Sequence, residues 1–430
     1  MGRVDTLTNG TISSTHVGVL SAVGDRPLTV AFLTPAWPPD AAANGIASYV
    51  DSVTAGLRRL GHTPYILCTR ADGSNSDSQL DPLERSAIAR IRDRVAYRIN
   101  PSEALRQRYS KALVQAGRRA IAERGVELLE MEETFGLVQL LKPWLPIPIV
   151  VRLHGPHFAN GPALGVPADA TFRRRVRDEG VGIAKADAVS APSRGILEQT
   201  RAYYGLPLTG AALIPNAGPA VPADHHWSLA DADSSRLLFV GRFDRHKGGD
   251  MVIEAFRRVA QRLPQVRLWF VGPADEGLTD DHGRHWTVAQ YIAERAPDVA
   301  ERIDWLGRQP NSSLTELRRK AFVTIVASRY ENLPMVVLEA MAFGCPLVAT
   351  RTGGIIEIIE DGVNGVLARP GDPGDLAAAI LRLLEAPEFA ANLGRRAAED
   401  AVQRYHPDSI ARETAAFHRS VLDNLNRHAP

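Results

Sequence analysis

Short aliphatic and β-branched runs alternate with stretches of helical apolar spacing, and this series occurs twice along the 430-residue chain. Such alternation predicts βαβ units, and hence parallel sheets covered by helices on both faces. The first series opens with a strand at 28–33 and a helix from about Ile46. The helix places Ile46, Tyr49, Val50, Val53, Leu57 and Leu60 on one face. Strands at 65–68, 128–131, 147–153, 188–191 and 211–214 complete it, and residues 72–82 are expected as a polar surface loop. A Pro- and Asp-rich stretch then breaks the pattern. The second series starts at 236–240, with a helix carrying Met251, Val252, Ala255, Phe256 and Val259 on one face. Strands follow at 266–271, 303–306, 322–327 and 347–349. Ser313-x-x-Glu316 reads as a capping box opening a helix. Residues 375–386 read as a helix, and 388–427 as two more. The fold class is therefore α/β, with two facing Rossmann-like domains, parallel sheets and a cleft between them. Residues 1–26 form a flexible leader, 27–220 the first domain, 221–235 a linker and 236–405 the second domain.

Composition removes several function classes. Fifty basic residues against 49 acidic ones give a net charge of +1, so no global field favours nucleic acid. Two cysteines, Cys68 and Cys345, exclude a disulfide scaffold and a four-Cys zinc site, and their apolar neighbours predict buried thiols. The most apolar stretch, 137–153, contains Lys142, Pro143, Pro146 and Pro148, which breaks any membrane-spanning helix. The apolar run at 17–23 is too weak for a signal peptide. A cytoplasmic protein is expected, with peripheral contact at the inner face of the membrane compatible with these features.

In open α/β sheets ligands sit beyond the carboxyl ends of the strands, which directs attention to four loops. Gly45 precedes the first helix, where a side-chain-free backbone and the helix N-terminus suit a phosphate. Gly241-Arg242-Phe243-Asp244-Arg245-His246-Lys247-Gly248-Gly249 follows the strand at 236–240. Arg242 offers a bidentate fork and Lys247 a point charge, as a diphosphate requires. The chain holds only five lysines among its 50 basic residues, so a lysine before paired glycines stands out. Ser328 to Glu339 carries Glu331 and Glu339 eight residues apart, about two helical turns, so they are expected near one face of a helix, with Glu331 at its start and Glu339 further in. Carboxylates accept hydrogen bonds from sugar hydroxyls, and the backbone N–H groups of Asn332 and Leu333 can donate. His154-Gly155 closes an apolar strand at the cleft rim.

Other polar clusters have plainer readings. His282, His285, Asp280 and Asp281 fit a solvated loop. Arg173, Arg174, Arg175 and Arg177 fit a solvated helix face, or a docking site for a phosphorylated acceptor or an anionic membrane. Of Glu127, Glu130, Glu132 and Glu133, Glu133 is the candidate acceptor contact. The Asp231-Ala-Asp233 string lies in the linker, so no metal is expected.

Together these pieces resemble the retaining nucleotide-sugar glycosyltransferases of family 4, which have the GT-B fold. Glu331 to Glu339 is similar to that family's E-x7-E motif, and Gly241-Arg242-Phe243-x-x-x-Lys247-Gly248 to its phosphate loop. Thr350-x-Thr352-Gly353-Gly354-x-x-Glu357 and Asp361-Gly-x-Asn364-Gly365 resemble its downstream glycine motifs. His154-Gly155 resembles its His-Gly, whereas the usual Gly-Gly before the first helix is Asn44-Gly45 here. The resemblance implies that the second domain binds the nucleotide sugar and the first the acceptor, with residues 406–430 crossing back as a helix onto the first domain. By the same resemblance Arg242 and Lys247, beside Gly241 and Gly45, hold the diphosphate. Glu331, Asn332 and Leu333 read the sugar, Glu339 the ribose, and Arg308 lies at the base. Transfer to a hydroxyl of a sugar, glycolipid or small molecule would proceed with retention, UDP favoured over GDP. His154, Arg242, Lys247 and Glu331 are the implied catalytic residues. No cofactor is implied, since the nucleotide sugar is a co-substrate. Two alternatives are a sugar-nucleotide epimerase of the same fold, whose members lack the Arg242–Lys247 and E-x7-E combination, and a non-catalytic sugar-nucleotide-binding protein.

Overall fold

Two parallel sheets organise the chain. A computed structural model describes residues 26–38, 45–68, 78–79, 101–273, 277–280 and 282–428. Residues 1–25, within the stretch 1–26 expected as a leader, and residues 39–44, with most of 69–100, lie outside them. The first sheet comprises β1 (Thr29–Thr34), β2 (Thr63–Cys68), β3 (Ser78–Gln79), β4 (Leu128–Glu132), β5 (Ile149–Arg152), β6 (Ala188–Ala191) and β7 (Ala212–Leu213), in the order β3-β2-β1-β4-β5-β6-β7. The second domain holds β8 (Asp233–Val240), β9 (Arg267–Val271), the hairpin strands β10 (Leu278–Thr279) and β11 (His285–Trp286), then β12 (Ile303–Gly307), β13 (Ala321–Val326), β14 (Leu347–Thr350) and β15 (Val366–Ala368). Its main sheet runs β12-β9-β8-β13-β14-β15. Each sheet starts in its middle, grows outward, returns and grows the other way, which is the doubly wound Rossmann order.

Burial on both faces explains the near-continuous apolar strands. In β1, Val30 and Phe32 pack with Tyr49, Val50, Val53 and Leu57 of the helix Gly45–Arg59. Ala31 and Leu33 point the other way, into a cluster with Leu129, Met131 and Val151. The last helix, Pro407–His428, adds Ala411, Ala415 and Val421 to the Tyr49 cluster. A Cβ on Gly56 would lie 2.6 Å from Ala411 Cβ, so these two helices approach too closely for any larger residue there.

Several details differ from expectation. Residues 78–79 pair with Leu67 and Cys68 as an edge strand within the expected loop. Strand β8 begins at Asp233, inside the stretch expected as linker, because Asp233 registers opposite Ala321. Ser313 and Glu316 are not a capping box. The helix Asn311–Lys320 starts after Pro310, whose extended backbone sets the entry, and both residues lie inside it. The reciprocal cap occurs instead at Thr287 and Gln290. Cys68 and Cys345 are buried free thiols. Among the described residues, no helix is long and apolar enough to cross a membrane, and no three His, Cys, Asp or Glu side chains could hold a metal ion.

Candidate active site

A cavity of about 720 Å³ lies where the strand order reverses in each sheet. Gly45, Glu133, His154 and Gly155 line it from the first domain; Lys247, Arg308, Glu331, Asn332, Leu333 and Glu339 line it from the second. An adjoining hollow of about 360 Å³ is lined by Gly241, Arg242, Lys247 and Arg308. All of the candidate site residues therefore line these two connected spaces.

The loop after β8 is organised by the buried Asp244, whose role its place in the sequence does not disclose. One of its oxygens accepts from the Lys247 backbone N–H at 2.6 Å, and the other from Arg242 Nε at 2.8 Å. The Asx-type turn so formed sets the backbone from which Lys247 reaches into the cleft. Gly248 then takes φ +71°, and a Cβ there would lie 2.1 Å from the Ala327 carbonyl oxygen. Only glycine fits both the left-handed backbone and the contact.

Glu331 and Glu339 do not share a helix. The helix is Met335–Ala342, entered through Pro334, so Glu331 sits in the preceding loop and Glu339 one turn into the helix. Pro334 explains the shift, since it disfavours helical backbone at Leu333. Asn332 and Leu333 likewise precede the helix rather than opening it. Glu331 Oε1 accepts from Lys247 Nζ at 2.6 Å and from Ser328 Oγ at 2.7 Å. Burial pushes its pKa up, but Lys247 and His246 outweigh burial and hold the carboxyl below its ordinary range. Glu339 is ion-paired with the buried Arg318. The paired glycines support this loop from behind: a Cβ on Gly353 would lie 1.6 Å from the Glu331 carbonyl oxygen, and one on Gly354 1.6 Å from that of Asn332. Gly354→Ala is expected to destabilise the second domain by about 2–4 kcal/mol and to displace the Glu331 loop. A denaturation midpoint equal to wild type would contradict this.

Asn332 uses its side chain to join the domains. Its Nδ2 donates to the carbonyls of Leu153 (2.8 Å) and His154 (3.0 Å), and its Oδ1 accepts from Ser193 Oγ at 2.8 Å. Nearby, Glu357 accepts the backbone N–H groups of Arg194 and Gly195, capping the first-domain helix Arg194–Tyr204. Asn216 Nδ2 donates to the Leu333 carbonyl at 2.9 Å. Spacing along one strand or helix carries no signal for such partners, so periodicity could not reveal them.

On the opposite wall, Glu133 accepts the backbone N–H groups of His154 (2.9 Å) and Gly155 (2.8 Å), one on each oxygen. Its carboxylate thus shapes the His-Gly turn while Glu133 also lines the cavity. Burial, then Glu179, push Glu133 up to about 8. Burial, then Arg152, lower His154 to about 3, so its ring is neutral at physiological pH. Of the arginine cluster, Arg175 faces the cavity rather than bulk solvent; it lies over Phe135 at 4.6 Å and pairs with Glu179 at 3.0 Å. Asp280 accepts from Trp286 Nε1 within the β10–β11 hairpin, and Asp281 lies outside the described residues.

Two family models match consecutive parts of the chain: Glycosyltransferase Family 4 over residues 43–217 and Glycosyl transferases group 1 over 223–400. The chain belongs to the family 4 glycosyltransferases. Among curated relatives of this family 4 member, a D-inositol 3-phosphate glycosyltransferase of Nocardiopsis dassonvillei is 30% identical over 275 residues, covering 59% of this chain and 61% of that protein. N-acetyl-alpha-D-glucosaminyl L-malate synthase of Bacillus anthracis is 25% identical over 295 residues, covering 64% of this chain and 68% of that protein. The match to a second D-inositol 3-phosphate glycosyltransferase, of Catenulispora acidiphila, spans 44% of that protein's length. Sucrose-phosphate synthase from Thermosynechococcus elongatus superposes with a TM-score of 0.69 at 23% identity, over 92% of this chain and all of that one. Anabaena HepE in complex with UDP and glucose gives 0.65 at 18%, over 91% and 100%. These structures share the GT-B architecture of this family 4 glycosyltransferase.

Proposed function

We propose that the chain transfers a sugar from a nucleoside-diphosphate sugar, UDP-linked in preference to GDP-linked, to an acceptor hydroxyl, with retention and without a metal ion. The observation that carries this reading is the Lys247–Glu331 pair, 2.6 Å apart at the carboxyl ends of β8 and β13 and facing His154 across the cavity. Departure of the diphosphate concentrates negative charge on its oxygens. Lys247 and Arg242, held in one loop by Asp244, supply preorganised positive charge there. Both described bonds to Glu331 fall on Oε1, and its Oε2 takes a sugar hydroxyl. Glu339 takes the ribose, Arg308 lies at the base, and Gly45 and Gly241 let backbone approach the diphosphate. The anomeric C–O bond to the diphosphate breaks as the acceptor oxygen bonds to the same face. The acceptor proton passes to the departing phosphate oxygen. A neutral His154 orients the sugar by hydrogen bonding rather than serving as the base.

Arg175 is the cation an acceptor meets on the first-domain wall. The relatives named for inositol 3-phosphate and for L-malate support an anionic acceptor. Radiolabelled nucleotide sugars test the reading: transfer or donor hydrolysis supports it, an epimer or binding alone rejects it. A donor panel scored by thermal shift identifies the sugar, since a bound donor raises apparent stability by mass action. Activity is expected to persist in EDTA. Complete loss, restored by Mg²⁺ or Mn²⁺, would replace the two-cation account with metal-assisted departure.

A further inference from the structure

A buried polar chain runs from the last helix to both walls of the cavity. His418 Nε2 lies 2.7 Å from Glu130 Oε2, and Glu130 Oε1 accepts from Tyr49 Oη at 2.6 Å. The Tyr49 ring meets the His154 ring edge-on, with centroids 5.0 Å apart. The Arg152 guanidinium lies 4.1 Å from the Tyr49 ring centroid and donates to Ile214 O and Asn216 Oδ1, both at 2.8 Å. Asn216 in turn donates to the Leu333 carbonyl, on the loop carrying Glu331. Contacts are thus continuous from the last helix through β4 and the helix Gly45–Arg59 to His154, and through Arg152 to the second-domain wall.

Stability alone is a poor reason to bury such a chain. Glu130, Arg152 and His418 are each 3% exposed or less. Taking ions out of water costs several kcal/mol each, and apolar residues of similar size often serve stability as well or better. Satisfaction is also incomplete: Arg152 Nε and His418 Nδ1 are buried without a hydrogen-bond partner among the described residues. Such departures from an optimal core are expected where a site must be held in one arrangement. We propose that Tyr49, Glu130 and His418 are positioning residues for transfer: they set the His154 ring against the sugar and tie it, through Arg152 and Asn216, to the Leu333 segment.

The inference rests on the transferase reading, and two readouts separate its failure from that reading's failure. Tyr49→Phe keeps the ring and removes only the hydroxyl, so no cavity opens. It is expected to fold, to lower kcat about tenfold and to leave the donor KM within about twofold, because misplacement of a group at the reacting centre is felt in the rate. His418→Gln, which keeps an N–H for Glu130, should retain more of kcat than His418→Leu. In the free protein, the His154 ring resonance should shift or broaden in Tyr49→Phe relative to wild type. An active wild type with an equally active Tyr49→Phe, a Tyr49→Phe that does not fold, or an unmoved His154 resonance would each overturn the proposal. An inactive wild type sinks the transferase reading, and the resonance still decides whether Tyr49 positions His154.

Discussion

Lys247→Ala is expected to turn over about 10²-fold or more slowly than wild type while keeping its fold, the scale of losing one preorganised charge at a departing group. Two effects add in this variant. In the proposed mechanism the diphosphate loses a cation, and Glu331 loses the ammonium that holds its carboxylate ionised against burial. The freed carboxyl is expected to move upward in pKa and to bind hydroxyls less well. Arg242→Ala should fall into the same range by a second route, because Arg242 braces Asp244, and Asp244 holds the Lys247 backbone. Single-turnover rates with saturating donor, read beside circular dichroism, provide the check. Near-normal turnover in both variants would remove the cationic clamp from the mechanism.

Glu331→Gln and Glu339→Gln are expected to part company when the donor and the bare nucleoside diphosphate are measured separately by calorimetry. Glu331→Gln should cut transfer by about 10²-fold, since it removes the carboxylate proposed to take a sugar hydroxyl. Binding of the bare diphosphate should stay level or tighten, because Lys247 is no longer shared with a carboxylate 2.6 Å away. Glu339→Gln should weaken the bare diphosphate by roughly 10- to 100-fold, the equivalent of about 1.5–3 kcal/mol for a charged hydrogen-bond partner. It should also lower stability, because it leaves the buried Arg318 without its ion pair. Equal weakening of the bare diphosphate by the two variants would refute the division of labour.

The architecture was legible because strand and helix periods are local properties. Buried runs such as Ala321–Val326 and the apolar stripe of Gly249–Arg262 declare themselves within a dozen residues. The place of the Gly241–Gly249 loop at the cleft was legible for a related reason, since it is one continuous segment whose glycines and cations can be read from its letters. Position within an element was less so: the spacing of Glu331 and Glu339 suggests one helix, and Pro334 delays it. What sequence could not disclose were contacts made across space. Asn332 lies 178 residues from His154, and Glu130 lies 288 from His418. A glutamate that caps a helix in the other domain looks, in sequence, like any surface glutamate. Gly353 and Gly354 did signal a close approach, but not that the neighbour was the Glu331–Asn332 backbone.

The packing of the Pro407–His428 helix onto the first sheet has a consequence for the order in which the protein can be made. Residues of the first domain leave the ribosome long before the segment that completes their core. At about 5–20 residues per second, Tyr49 and Glu130 wait on the order of tens of seconds for His418. During that interval the first domain presents to the cell an apolar groove and a Glu130 carboxylate lacking its His418 partner. Nascent chains stalled just short of residue 407 should therefore be protease-sensitive in their first half, and protection should arrive there only once the final helix has emerged.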